Sequence, residues 1–163
     1  MALIENEDFH LDFQLTDVHP VIESVCQAFD LNVKKKGGKI VSMLRSGCSK
    51  ILIDEIHFAN VLNNIFDNAL KYNEKTPEIL VETYHKKDQF FMRISDNGTG
   101  MSKEVQEHIF DKFYRKPSGN IHNVKGFGLG LSYVKAIVAA HGGSISVSSE
   151  PGTGSTFIIS FNC

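Results

Sequence analysis

Apolar and polar residues alternate along the chain with a period that switches between two and about 3.6, and the switches outline its elements. Phe9, Leu11 and Phe13 alternate with His10, Asp12 and Gln14, which predicts a strand over 9–14. Thr16-Asp17 offers a helix cap, and Pro20 suits the first turn, where its missing N–H is not needed. Val18, Val21, Ile22, Val25, Cys26 and Phe29 carry a helical stripe to about Lys36, where Gly37-Gly38 stops it. Lys39–Arg45 and Lys50–Ile53 read as a hairpin turning at Ser46-Gly47-Cys48-Ser49, and Asp54 caps the helix that follows. Glu78–His85 and Phe90–Asp96 predict a second hairpin joined by Lys86-Lys87-Asp88-Gln89, with Phe90, Met92 and Ile94 on one face. Ser102 caps a short helix reaching Ile109. From Lys112 to Lys125 no period survives, and Pro117, Ser118, Gly119 and Asn120 mark a flexible loop. Helical spacing resumes with Leu131, Val134, Ile137 and Val138 and ends at His141-Gly142-Gly143, with Gly142 suited to a C-cap. Ser144–Ser148 and Ser155–Phe161 close the chain as a hairpin across Pro151-Gly152-Thr153-Gly154. These elements predict an α+β fold: a two-layer α/β sandwich with a mixed, mostly antiparallel sheet and helices on one face.

The helix after Asp54 has an unusual polar face. Asn60, Asn64, Asn68 and Lys71 fall at i, i+4, i+8 and i+11, aligned on one side, while Phe58, Leu62, Ile65, Ala69 and Tyr72 form an apolar stripe. Asparagine prefers caps and turns, so several in one helix do not serve helix stability. Amide oxygens one turn apart at Asn64 and Asn68 suit a hard cation such as Mg²⁺, which keeps several waters and shares its remaining ligands with phosphates. A solvated polar face explains the pair alone at least as well. Lys71 can meet a phosphate as a point charge or simply face water.

Asp96 ends an apolar strand and begins Asp96-Asn97-Gly98-Thr99-Gly100-Met101. A poorly solvated carboxylate needs partners, and the glycines let a ligand approach the backbone. Asp96 can therefore accept from a purine exocyclic amine, selecting adenine over guanine, or it can close an ordinary Asp-Asn-Gly turn. Gly126-Phe127-Gly128-Leu129-Gly130-Leu131 runs directly into a helical pattern, so its backbone N–H groups and the helix N-terminus can face an anion. Its G-x-G-x-G spacing is neither the dinucleotide fingerprint nor the P-loop, and the Ser/Thr/Tyr-kinase signatures are absent. A hinge would explain that string by itself. Phe110 and Phe113, three apart, are expected to anchor the base of the intervening loop in the core while Lys112 and Arg115 reach a triphosphate.

At 163 residues and 42% hydrophobic, the chain suits one domain with a substantial core. A net charge of −2 gives no general attraction to nucleic acid or anionic membrane, although Lys112, Arg115, Lys116, His122 and Lys125 cluster with only Asp111 as an acid. Cys26, Cys48 and Cys163 are odd in number and widely spaced, which predicts reduced thiols in a cytosolic protein and no structural zinc. No run approaches a membrane span, and the first residues carry no signal segment.

Four stretches in order carry a family resemblance. Asn64-Ile65-Phe66-Asp67-Asn68-Ala69-Leu70-Lys71-Tyr72 resembles the N box of sensor histidine kinases, and Asp96–Met101 their first glycine box. Phe110-Asp111-Lys112-Phe113-Tyr114-Arg115 resembles the F box and Gly126–Leu131 the second glycine box; His141-Gly142-Gly143 and Gly152–Phe157 also match. The resemblance covers nearly the whole chain and implies the catalytic and ATP-binding domain of such a kinase, with the Bergerat fold it shares with the 90 kDa heat-shock chaperone, type II topoisomerases and mismatch-repair ATPases. It implies ATP and Mg²⁺ as cofactors, Asn68 as the metal ligand and Asn64 as its companion near the phosphates. Lys71 and Tyr72 would touch phosphate and nucleoside, Asp96 the adenine, and Arg115 the γ-phosphate. Gly98, Gly100, Met101, Phe113, Lys125, Gly126, Gly128, Leu129, Gly130 and Leu131 complete the implied nucleotide site. Asn64, Asn68 and Arg115 are the implied catalytic set, and residues 111–125 the ATP lid.

The implied reaction is transfer of the γ-phosphoryl group to a histidine on a dimerisation domain, then to a response regulator. The chaperone and topoisomerase branches commonly place a water-activating acid where Asn64 stands, so hydrolysis is not the expected job. Phe127 replaces a small or polar residue, and no phosphoacceptor motif is present: His19-Pro20 and His57-Phe58 do not resemble one. Residues 1–163 are thus expected to form the single catalytic domain, monomeric alone, from a homodimeric parent, and a cytoplasmic part of a membrane-attached sensor. A serine kinase of the anti-sigma-factor type, or a nucleotide-sensing domain without transfer, are the alternatives.

Overall fold

Aspartates start the two longest helices among the described residues. Asp17 caps α1 (Val18–Lys35) by accepting the His19 N–H, and Asp54 caps α2 (Glu55–Lys71) by accepting the His57 N–H. The computed structural model describes residues 10–114 and 128–163. Its remaining elements are β1 (Gln14–Asp17), β2 (Lys39–Leu44), β3 (Lys50–Ile53), β4 (Glu78–Lys86), β5 (Gln89–Asp96), α3 (Lys103–His108), α4 (Gly130–Ala140), β6 (Ser144–Glu150) and β7 (Gly154–Asn162). A five-stranded sheet runs β2-β4-β5-β7-β6, and β1 and β3 form a separate two-stranded sheet. Every pairing is antiparallel except β2 with β4. This is the expected two-layer α+β sandwich.

Strand alternation decides which face is covered. Ile79, Val81, Phe90, Met92, Ile94, Phe157, Ile159 and Phe161 are buried on one side of the large sheet. Against them pack Phe58, Leu62, Ile65 and Phe66 of α2 and Val134, Ile137 and Val138 of α4. The apolar stripe read from the sequence is therefore the face α2 gives to the core, which leaves its asparagine edge outside.

Three local expectations fail, each because a distant partner wins. The segment before α1 pairs only over Gln14–Asp17, not 9–14: β1 lies on β3 (Gln14↔Ile53 to Asp17↔Lys50), and the Asp12 N–H goes to the Asp54 carboxylate at 2.8 Å. Phe9 lies outside the described residues. Lys39–Arg45 and Lys50–Ile53 do not form a hairpin. Strand β2 runs parallel to β4 from Lys39↔Glu78 to Leu44↔Thr83, a pairing that needs a crossover and so cannot be read locally. The Ser46–Ser49 turn is a corner between the two sheets, held by Ser46 N–H on Thr83 Oγ1 and Gly47 N–H on His85 Nδ1. Nor are all three thiols reduced: Cys48 in that corner is disulfide-bonded to Cys163, 115 residues away, while Cys26 is free and buried. Burial pushes the Cys26 thiol up to about 11, so it stays protonated at neutral pH.

Asp54 gives the fold a dependence on pH. Burial raises its carboxyl, but the His57 and Asp12 amides and the nearby His57 ring outweigh that and hold it below the usual carboxylate range. A lowered value contributes stability above the unfolded pKa and loses it as pH falls through the folded one. Asp54→Ala is therefore expected to lose about 1–2 kcal/mol at neutral pH. In urea titrations stepped into the acid range, the gap from the unmodified protein should narrow.

Candidate functional site

A cleft of about 470 Å³ opens between α2, the loop after β5 and the start of α4. Its polar end is built by Asn64, Asp67, Asn68 and Lys71 of α2, facing Gly128, Leu129 and Gly130. Its apolar end is built by Ala69, Met101, Ile109, Leu131 and Phe157, with Asp96 set among them.

At the polar end, Asn64 commits its side-chain N–H to the Asn60 carbonyl (2.8 Å), which leaves Oδ1 for the cleft. A Cβ on Gly130 would lie 2.7 Å from that oxygen, so a larger residue there would displace the Asn64 side chain from its place in the cleft. Helix α4 begins at that point without a side-chain cap, leaving its first N–H groups to face the same space. Burial raises the Asp67 carboxyl and the Lys71 ammonium pulls it back, and the Lys71 Nζ lies 5.3 Å from the Tyr72 ring centre.

At the apolar end, Asp96 accepts the Gly98 N–H at 2.8 Å. Burial raises its carboxyl against the opposing backbone hydrogen bonds from Gly98 and Ser155. A raised acid favours folding at low pH and loses that contribution as pH rises through its folded value, so ionised Asp96 works against the folded empty domain. A ligand donor at the carboxylate would offset this.

The two loops beneath Asp96 interlock. Gly100 has φ +66°, and a Cβ there would sit 1.9 Å from the Glu150 carbonyl oxygen; a Cβ on Gly154 would sit 2.0 Å from the Asp96 carbonyl oxygen. Thr99 ties the assembly together, donating its N–H to the Tyr72 carbonyl (2.9 Å) and accepting from the Gly152 N–H (2.7 Å). Asn97 fastens the loop after α2, accepting from Asn73 Nδ2 and the Glu78 N–H and donating to the Thr76 carbonyl.

Most of the predicted site converges here: Asn64, Asn68, Lys71, Tyr72, Asp96, Gly100 and Met101 on one side, Gly128, Leu129, Gly130 and Leu131 on the other. Gly98 stands behind Asp96, where a Cβ would lie 2.7 Å from both Asp96 Oδ1 and the Tyr72 carbonyl oxygen. Arg115, Lys125, Gly126 and Phe127 lie outside the described residues, as does most of the expected lid over 111–125. Phe113 corrects an expectation. Phe110 packs edge-on against Phe157 at 6.4 Å, but Phe113 is 60% exposed with φ +63° and its N–H on the Gly128 carbonyl. It does not anchor the core, because that left-handed turn points it outward. Sequence reasoning missed Asp67, Ala69, Thr99, Ile109, Tyr114, Ser155 and Phe157 as lining residues. The Gly152–Phe157 match was the available signal for the last two, since β7 brings that stretch under Asp96.

A family model described as histidine kinase-, DNA gyrase B- and HSP90-like ATPase matches residues 53–163, the span that holds this cleft. Sensor protein RprX of Bacteroides fragilis is 40% identical over 161 residues, covering 98% of this chain and 31% of its own length. Sensor histidine kinase YvrG of Bacillus subtilis is 30% identical over 158 residues, covering 97% and 27%. The chain thus spans less than a third of either relative. Among solved structures, full-length ShkA in complex with AMPPNP matches with a TM-score of 0.80 at 26% identity, over 93% of this chain and 31% of that one. The architecture, the two-ended cleft and the matched span agree: this chain belongs to the histidine kinase-, DNA gyrase B- and HSP90-like ATPase family.

Proposed function

We propose that this domain binds ATP with magnesium and transfers the γ-phosphoryl group to a histidine nitrogen on a separate dimerisation domain, for relay to a response regulator. What supports it above all is the polarity of one cleft, with a half-buried carboxylate among apolar walls at one end and amide oxygens facing an uncapped helix N-terminus at the other. Adenine fits the first end, with Asp96 accepting its exocyclic amine, and a polyphosphate fits the second. Relatives named as a sensor protein and a sensor histidine kinase support the kinase reading.

Asn64 and Asn68 offer neutral amide oxygens, the donor type a hard cation accepts, and among the described residues no group of three His, Cys, Asp or Glu could hold a metal. Asn68, with Asn64 beside it, would hold the ion, which when bound supplies positive charge against the phosphates. The remaining contribution is positioning by α4 amides and Arg115. Neutral imidazole is already a nucleophile, so no general base is required. Asn64, its amide N–H held by the Asn60 carbonyl, cannot take a proton from water, which favours transfer over hydrolysis.

No helix of the described residues is long and apolar enough to cross a membrane. We assign the domain to the cytoplasmic part of a longer, homodimeric, membrane-attached sensor, monomeric when separate and with no nucleic-acid partner. Asn68→Ala is expected to abolish the magnesium-dependent part of ATP affinity, measured by titration with and without Mg²⁺; an unchanged magnesium response would remove Asn68 from the metal site. Acid-labile phosphate on an added dimerisation domain is the expected product, and acid-stable phosphate would point to serine transfer.

A further inference from the structure

Helix α3 brings two walls of the cleft, Ile109 at its end and Tyr114 beyond it, yet lies outside the large sheet. One half-buried side chain joins it to the loops beneath Asp96. Gln106 donates from Nε2 to the Met101 carbonyl (3.0 Å) and the Ser149 carbonyl (2.9 Å), and its Oε1 accepts the Ser149 N–H (3.2 Å). Ser149 continues the connection. Its hydroxyl accepts the Met101 N–H (2.8 Å), donates to the Gly154 carbonyl (2.7 Å) and lies 2.9 Å from Ser155 Oγ. With its single proton on Gly154, that last bond must come from Ser155, the residue that pairs with Asp96 across β5 and β7. Hydrogen bonds therefore lead from α3 to Gly154 and Ser155, which lie directly against the backbone of Asp96.

We propose that Gln106, acting through Ser149, is a positioning residue that sets the base-reading carboxylate against the α3 wall of the nucleotide cleft. The inference rests on the reading of this cleft as an ATP site. Neither residue lines the cleft, so their effect on a nucleotide is transmitted, and it should fall on the base rather than on the phosphates. Val105 burial and the Ser102 cap also hold α3, so the helix itself outlasts loss of the Gln106 contacts. The hydroxyl of Ser149 is then the discriminating group, because removing it leaves both Gln106 contacts to the Ser149 backbone in place.

The test is titration of the purified domain with fluorescent ATP and GTP analogues, beside circular dichroism to establish folding. Gln106→Met and Ser149→Ala are each expected to weaken ATP binding by about three- to tenfold and to narrow the ATP-to-GTP ratio by a similar factor. The magnesium-dependent part should be unchanged. Ser149→Thr, which keeps the hydroxyl, should retain both affinity and ratio, and the double variant should be no worse than Gln106→Met, since the two act in series. Folded variants with an unaltered ATP-to-GTP ratio, or fully additive losses, would overturn the proposal. Should Gln106→Met not fold, the Ser149→Ala and Ser149→Thr pair decides alone. Failure of the unmodified protein to prefer ATP would instead count against the functional reading.

Discussion

Asp96→Asn is expected to weaken ATP binding by about ten- to a hundredfold, because a hydrogen bond to a charged group contributes roughly 1.5–3 kcal/mol. The same substitution should leave the empty domain at least as stable as before. Its carboxylate is raised by burial, so at neutral pH it carries an ionisation penalty in the fold, and an amide oxygen can still accept the Gly98 N–H. Thermal unfolding should show a midpoint unchanged or higher without nucleotide and a smaller shift when nucleotide is added. Damage to the loop would lower both. Equal ATP affinity in the two proteins would remove Asp96 from the base site, and a lower midpoint without nucleotide would mean that the carboxylate stabilises its own loop.

Gly100→Ala should cost far more stability, roughly 2–5 kcal/mol, in two distinguishable parts. A left-handed backbone disfavours any side chain by about 1–2 kcal/mol, and a Cβ placed 1.9 Å from the Glu150 carbonyl oxygen forces the two loops apart, at about 1–3 kcal/mol for overpacking. Gly152→Ala isolates the first part, since Gly152 also has positive φ (+80°) but open space around its Cβ. Urea unfolding of both variants separates the terms, and equal losses would show that contact between the loops is not tight. Nucleotide affinity should fall with Gly100→Ala alone, because the loops that part are those carrying Asp96 and Ser155.

What could be read from the sequence was whatever its own neighbours determine. The β4–β5 and β6–β7 hairpins, the caps at Asp17, Asp54 and Ser102, and the helical stripes all depend on residues a few positions apart, and all are present. The β4–β5 connection tightens to Lys87-Asp88, with Lys87 taking φ +54°. Pairings set by distant segments were hidden: β2 on β4, β1 on β3, and Cys48 with Cys163. The site divides the same way. Asn68, Asp96 and Gly130 were visible because an asparagine stripe, a carboxylate ending a strand and a glycine before a helix each break a local preference. Gln106 and Ser149 break none. An exposed-looking glutamine on a short helix and one serine in a run of serines become informative only when three segments meet.

The Phe113 N–H bonds to the Gly128 carbonyl at 3.1 Å, so two positions well separated along the chain are joined directly. Neither residue belongs to a strand, so the junction lies outside the register of both sheets. Loop-closure entropy rises by only about 0.6 kcal/mol for each doubling of the chain length between two joined points. Insertions or deletions between positions 114 and 128 are thus expected to cost the fold little and to leave the cleft behind the junction unchanged.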